Sequence, residues 1–457
     1  MPSISLQQSS EIKWIQSVIF EQFLGLDLKI EQPNESLFVI HFEGRTLTLP
    51  NVFFKQASNS WLSPSTLPQL PLRQWDVSAT ELKVNLVSQI IPVLYGNPGF
   101  KKDEHGNGFL HLDVIGSAFF MLSRYEEVIS QDRDLYDRFP GNASIAFKAN
   151  FLGRPLIDEY VEILWAAIHD LWPLLQRRSR QFKLLASHDV DRPSRFTFCS
   201  WLGVLGVMGV EVMKRGNFLL ALKGPILRLQ SHRKISPKDP YNTFSWIMDL
   251  SERYGLQSAF YFICGRTNQK MDADYEIEHP AIQKLLLEIH SRGHEIGLHP
   301  SFETYLDPQR LLAEALRLKQ ICKKLNVVQK YFGVRMHILR WRTPTTMLAL
   351  ENAEMHYDST LGHGDMVGFR CGTCHEYSAF DPVEKKELKL RIRPLIVMDR
   401  TLLDPMYMNL SHTAALDVAR GLKNCCKQFN GNFTLLWHNH AFAEMNQRSL
   451  YEAILRD

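Results

Sequence analysis

Apolar and polar positions change their period several times over the first 180 residues. From Ile12 to Leu24 the apolar residues recur at helical spacing. Ser36 to Phe42 and Arg45 to Leu49 instead alternate on either side of Glu43-Gly44, which predicts a hairpin. Phe109 to Ile115 predicts a strand, Ser117 to Val128 an apolar helix, and Asp158 to Leu175 a longer one. Residues 176–181, a short basic and polar run, read as a linker. Beyond Phe182 the pattern becomes regular. Short apolar runs at Lys183–Ser187, Gln257–Cys264, His294–His299, Tyr331–Leu339, Leu388–Met398 and Asn432–Trp437 predict strands. Helical patterns at Asn242–Tyr254, Pro280–Arg292, Pro308–Leu325 and Ala414–Phe429 lie between them. Alternating strand and helix units imply an α/β fold with a parallel sheet, closed or nearly closed into a barrel. The expected organisation is a smaller α+β domain over 1–180 and a barrel over 181–457. In such sheets chemistry gathers at the carboxyl ends of the strands, which gives a filter for candidate residues.

Composition narrows the class. A chain of 457 residues with 45% hydrophobic and 22% charged residues can bury a large core, so wholesale disorder is excluded. Lysine and arginine number 52 against 49 acids, a net charge of +3, which argues against a dedicated nucleic-acid binder. Seven scattered cysteines form no disulfide framework, and Cys371 and Cys374 have no second pair at zinc-finger spacing. The first seven residues carry no charged segment leading into an apolar one, so a cytoplasmic location is expected.

One segment departs from this picture. The apolar stretch from Phe196 to Val210 falls short of the ~20 residues of a spanning helix. From Val212 to Lys238 there is no acid, while Lys214, Arg215, Lys223, Arg228, Arg233, Lys234 and Lys238 are interleaved with phenylalanine, leucine and isoleucine. Residues 196–238 therefore read as a helical insertion. Its basic apolar part, 212–238, suits peripheral contact with a membrane, or simply a helix pair packed on its own domain.

Three strand ends carry chemistry. The first is Ser187-His188-Asp189-Val190-Asp191, where two carboxylates one residue apart can divide roles between a metal and a water. The second places His299 where its apolar strand stops. The third, Trp437-His438-Asn439-His440, puts histidines directly after an apolar run, and histidine is the usual proton donor in such a place.

The order of Asp-x-Asp, then Gly-His-Glu-Ile-Gly-x-His from Gly293 to His299, then Leu-x-x-His ending at His438, resembles the polysaccharide deacetylases, the NodB-like carbohydrate esterases. The resemblance covers about Phe182 onward. The preceding part, with Leu112 to Phe120 and Arg124-Tyr-Glu-Glu127, resembles an accessory domain that precedes a cytoplasmic branch of that family. Gly368 to Cys374 and Val397-Met-Asp399 match the same branch. The resemblance implies a distorted (β/α) barrel holding one divalent metal, with zinc expected and cobalt, nickel or manganese as alternatives. It further implies Asp189 as base, Asp191 and His299 as metal ligands, His438 as general acid, Asp399 as its supporting carboxylate and Arg370 as the arginine that orients the base, with Arg342 as rival. The family's second metal histidine comes four residues after the first, where this chain has Glu303. Glu303 is therefore the expected third ligand, with His337 as the alternative.

The implied reaction is hydrolysis of an N-acetyl group from an amino sugar. The expected substrate is a nucleotide-linked or lipid-linked precursor of a surface polysaccharide. Competing readings are a deformylase or other amidohydrolase, and an inactive barrel serving as a binding module. Trp341 and Trp437 are candidates for stacking on sugar rings.

Overall fold

The computed structural model describes residues 6–213, 216 and 218–456. The first portion is built on a five-stranded sheet and a small ribbon. Strands β1 (Lys29–Asn34), β2 (Leu37–Phe42) and β3 (Arg45–Pro50) form an antiparallel meander, with the predicted hairpin turning at Glu43-Gly44. The ribbon pairs β4 (Arg73–Asp76) with β5 (Ile90–Val93). Strands β6 (Gly96–Lys102) and β7 (Gly108–Leu112) then complete the first sheet beside β3. The helix Leu156–Leu171 packs on β3 and β7, and the fully buried apolar helix Val114–Leu122 packs on that helix.

The second sheet has nine strands: β8 (Lys183–Val190), β9 (Ala259–Ile263), β10 (Glu295–His299), β11 (Gly333–Val334), β12 (Tyr357–Asp358), β13 (Tyr377–Asp381), β14 (Lys386–Ile392), β15 (Val397–Met398) and β16 (Asn432–Leu436). Their order is β13-β14-β12-β11-β10-β9-β8-β16-β15, parallel except for β13 against β14. Among the described residues no pairing joins the outer strands, so the sheet is open rather than a closed barrel. Two predicted strands are also shorter than their apolar runs. Tyr331–Leu339 contributes only Gly333–Val334 before the chain turns, and Leu388–Met398 divides into the end of β14 and the two residues of β15.

Local chemistry explains the connecting helices. Pro280 and Pro308 occupy first turns, where a missing N–H costs nothing. Asp307 caps the helix Pro308–Lys324 by accepting from the Arg310 N–H at 3.1 Å. The helix Pro280–Ser291 stops before Gly293, which takes a left-handed φ of 77° and returns the chain into β10.

The two portions share one continuous apolar core. Trp14 donates from its indole N–H to the Ser378 carbonyl of β13 at 3.1 Å, so a helix of the first portion lies against the edge strand of the second sheet. The polar run at 176–181 is held as well: the Arg178 N–H donates to the Leu24 carbonyl at 2.7 Å, and Arg180 donates to the Phe23 carbonyl at 3.1 Å. Trp341 and Trp437 are both buried, and Trp437 stacks on Phe442. These tryptophans belong to the core and present no face to a sugar.

Candidate metal and acid–base site

Five side chains reach one place because their strands end side by side. Register pairs Ser187 of β8 with Leu436 of β16 and with Ala259 of β9, while His299 of β10 pairs with Ile263 of β9. Asp189 therefore stands in the last turn of its strand and Asp191 just past it. His299 closes β10, Asp399 follows β15, and His438 follows β16 by two residues.

Asp191, His299 and His337 form a group whose ligand atoms lie within 4.8 Å of one another. His299 presents Nδ1 to the Arg335 carbonyl at 2.6 Å, which turns Nε2 toward Asp191 Oδ1 at 3.3 Å. His337 stacks on His299 with ring centroids 4.9 Å apart, and its Nδ1 lies 3.3 Å from Asp272 Oδ1. A carboxylate behind a histidine is a common way to fix the ring of a metal ligand. Asp272 is itself held in place by the N–H groups of Phe302, Thr267 and Asn268 at 2.7–2.8 Å.

Asp191 Oδ1 is buried and has no hydrogen-bond partner. The His299 nitrogen 3.3 Å away is not aligned to donate to it, as befits two ligands that face a shared point. Burial opposes the charge of Asp191, yet His299, His337 and His438 hold it well below the usual carboxylate range. Burial likewise opposes protonation of His299, but Asp189 and Asp191 raise it. Two imidazoles and one carboxylate around an orphaned buried oxygen fit a divalent cation of the zinc type with coordination positions to spare.

Glu303 is not part of this group. Its side chain is 45% exposed and its carboxylate accepts from Arg340 at 3.0 Å. Residues 301–306 form a tight turn rather than a long helix, so a residue four after His299 does not return to the same face. Of the two candidates for the third ligand, the structure sets the imidazole of His337, and not the carboxylate of Glu303, beside His299.

The arginine assignment is corrected too. Arg370 is buried against the first portion, where both its ends donate to Glu127 at 2.7–2.8 Å. Arg342 pairs with Asp137 at 2.6 Å. The guanidinium at Asp189 belongs to Arg335, which donates from Nη1 to Asp189 Oδ1 at 3.0 Å and to Ser187 Oγ at 2.9 Å. Its remaining donors go to the carbonyl and hydroxyl of Ser359. The ring of Tyr261 lies 4.8 Å beneath it. Tyr261 can lie across β10 because Gly297 has no side chain; a Cβ there would meet the ring at 2.3 Å and the Gly333 carbonyl at 2.8 Å. Arg335 follows β11 immediately, so the strand-end filter applied to that run would have found it.

His438 is bound twice by one carboxylate. Its Nδ1 lies 2.7 Å from Asp399 Oδ1 and its backbone N–H donates to Asp399 Oδ2 at 2.9 Å. Nε2 points to Asp191 Oδ2 at 3.7 Å. Burial disfavours the imidazolium, but Asp399, with help from Asp191, pushes its pKa up to about 9. His440 is the opposite case: burial and the charged His438 push it down to about 4.

These groups open into a cavity of about 1210 Å³. Arg138 from the first portion and Phe198, Cys199 and Arg228 from the helical insertion form part of its wall.

Residues 2–173 match the model of a family of unknown function (DUF7033), which covers the first portion and not the site. No curated protein matches the chain. Among solved structures, a putative polysaccharide deacetylase from Mycobacterium smegmatis aligns at 15% identity and a TM-score of 0.39, over 61% of this chain and 83% of that one. A probable polysaccharide deacetylase from Pseudomonas aeruginosa PAO1 aligns at 11% and 0.37, over 68% and 90%. Puue allantoinase aligns at 10% and 0.36, over 60% and 82%. At these scores the reading of the site rests on its own geometry.

Proposed function

We propose that this protein is a metal-dependent hydrolase that removes the N-acetyl group from an amino sugar in a nucleotide-linked or lipid-linked glycan precursor. The observation that carries this reading is the convergence of Asp191, His299 and His337 on one point, flanked by a carboxylate bound to arginine and a histidine bound to aspartate.

Asp191, His299 and His337 would hold the cation. A divalent metal bound there supplies Lewis acidity, which activates water and polarises an amide carbonyl. Asp189 would accept the proton of the attacking water. Arg335, itself held by the Ser187 hydroxyl, fixes one oxygen of that carboxylate and leaves the other for the water. His438 would deliver a proton from Nε2 to the departing amine nitrogen, because Asp399 occupies Nδ1 and favours the charged ring. The C–N bond breaks, and acetate and a free amino sugar leave. An inert binding barrel would have no use for this separated acid and base, which favours catalysis over that alternative.

Metal content of protein purified without chelator, combined with acetate release from N-acetylglucosamine oligosaccharides and from UDP-N-acetylglucosamine, tests the reading. The expected result is one divalent ion per chain and acetate release that Asp189→Asn abolishes without loss of metal. Metal-free protein after soaking in zinc, cobalt or manganese would overturn it, as would full activity in Asp189→Asn.

A further inference from the structure

The helical insertion is an appendage with a small core of its own. Its two ends are gathered by Asp239, whose carboxylate accepts from the Ser194 hydroxyl at 2.6 Å and from the Arg195 and Tyr241 N–H groups at 2.9 Å. Between these ends the helices Trp201–Met213 and Phe218–Gln230 pack on each other around Phe196, Val204 and Leu227, a cluster separate from the main core.

Their outer faces carry the side chains that a water-facing helix avoids. Of the 26 large apolar side chains exposed among the described residues, ten belong to these two helices, so the exposure is a patch rather than scatter. Leu202 is 82% exposed, Met213 86% and Leu222 71%, with Leu205, Phe218 and Leu229 beside them. The helix Trp201–Met213 has one ionisable residue, Glu211, and it turns inward to Arg195 at 2.6 Å. Neither helix is long and apolar enough to cross a membrane.

Charge identifies the occupant. No acid occurs from residue 212 to 238, where there are seven lysines and arginines. Lys214 and Arg215, central to the sequence expectation, lie outside the described residues. Arg228 is turned inward to the Thr197 carbonyl at 2.9 Å, but Lys223, Arg233, Lys234 and Lys238 are exposed. A second copy docked on the same face would set cation against cation. An apolar ridge bordered by lysine and arginine, of which Lys234 faces Glu288 at 3.9 Å, suits the interface of a bilayer with anionic headgroups, the ridge in the acyl boundary and the cations among the phosphates.

We propose that the helices Trp201–Met213 and Phe218–Gln230 dock this protein on anionic lipid surfaces. This inference does not depend on the hydrolase reading. The base of the insertion also forms part of the cavity wall through Phe198, Cys199 and Arg228, so docking sets the cavity mouth beside the bilayer.

Flotation of the full-length protein with phosphatidylcholine vesicles, with and without phosphatidylglycerol, tests this directly. Binding is expected to the anionic vesicles and to fall with salt. Leu202→Glu with Leu222→Glu should weaken it about a hundredfold, and Lys223→Glu with Lys238→Glu by about fivefold per charge. Both pairs are on the surface, so thermal unfolding should match wild type. Asp191→Ala should bind as wild type does; vesicle binding by wild-type protein that takes up no divalent metal would leave the docking surface standing and remove the hydrolase reading. No flotation with either vesicle would overturn the proposal, as would unchanged binding in the leucine variant. A discrete dimer that the leucine variant dissociates would overturn it in favour of self-association.

Discussion

Arg138 donates from Nη1 to the carbonyl of Ile338 at 2.9 Å, one residue from His337. Ile338 and Leu339 both hold a left-handed backbone, with φ of 57° and 58°. That conformation costs an ordinary side chain roughly 1–2 kcal/mol per residue, and the β-branched Ile338 adopts it only if something else fixes the turn. Arg138 is buried, clamped by Asp134 at 2.7 Å, and reaches across from the first portion of the chain. Asp137 adds a second tie by accepting from Arg342 and from the Tyr305 hydroxyl.

Arg138→Ala should therefore loosen the segment that carries His337 before it unfolds the protein. The expected outcome is metal affinity lowered about 10- to 100-fold, the range for lost support behind a ligand. Competition with a chromophoric chelator measures it. Arg138→Lys, which keeps a donor without the fork, should recover part of the affinity. Equal affinity in wild type and Arg138→Ala would show that the turn holds itself.

The choice between His337 and Glu303 is a direct contrast. His337→Ala should lose the bound ion, as Asp191→Ala should, whereas Glu303→Ala should keep it and change stability by well under 1 kcal/mol, since its pair with Arg340 is half exposed. Metal analysis of the three purified variants decides the matter.

In chelator-treated protein the His438 ring should remain charged to about pH 9. Its folded pKa lies above the ordinary value, so the stability this pair contributes is complete below about pH 6.5 and disappears as pH rises through 9. Asp399→Asn removes the largest influence that favours the charged ring. The ring should then titrate below neutrality, which histidine-selective NMR would detect.

Glu127 lies between Arg124 and Arg370, with Arg370 bidentate at 2.7–2.8 Å. Burial would raise its pKa, but the two guanidinium groups lower it from 4.5 to about 2. The stability it contributes is present above about pH 4.5 and is lost as pH falls toward 2. Glu127→Gln leaves buried arginines underpaired and should cost roughly 3–5 kcal/mol at pH 7. That penalty should shrink by roughly 2 kcal/mol at pH 3, as urea unfolding at the two pH values would show.

Strand ends were the legible part of the site. Asp189, Asp191, His299, Asp399 and His438 each follow an apolar run that stops, and the structure brings all five together. His337 was legible only as the alternative ligand, and Arg335 was overlooked, because β11 is only two residues long and the left-handed pair behind it breaks any period. Glu303 was proposed from the resemblance, as the residue standing where the family has its second metal histidine, and here the chain makes a turn that leaves it paired with Arg340. Arg370 was misplaced because its partner, Glu127, lies 243 residues away, a distance at which periodicity carries no information. The open edge of the sheet has a similar cause: strands of two residues leave too faint a pattern to count.

The order of strands also dictates when the site can exist. β16, which brings His438, is the last of the nine strands in the chain, yet it lies between β8 and β15. Until residues 432–436 are translated, β8 has no neighbour on that side and its aspartates have no facing histidine. At elongation rates of about 5–20 residues per second the wait from Val190 to Asn432 is roughly ten to fifty seconds. Throughout that time a nascent chain exposes an unpaired edge of β8 to chaperones. It acquires its acid partner only when synthesis of the sheet is complete.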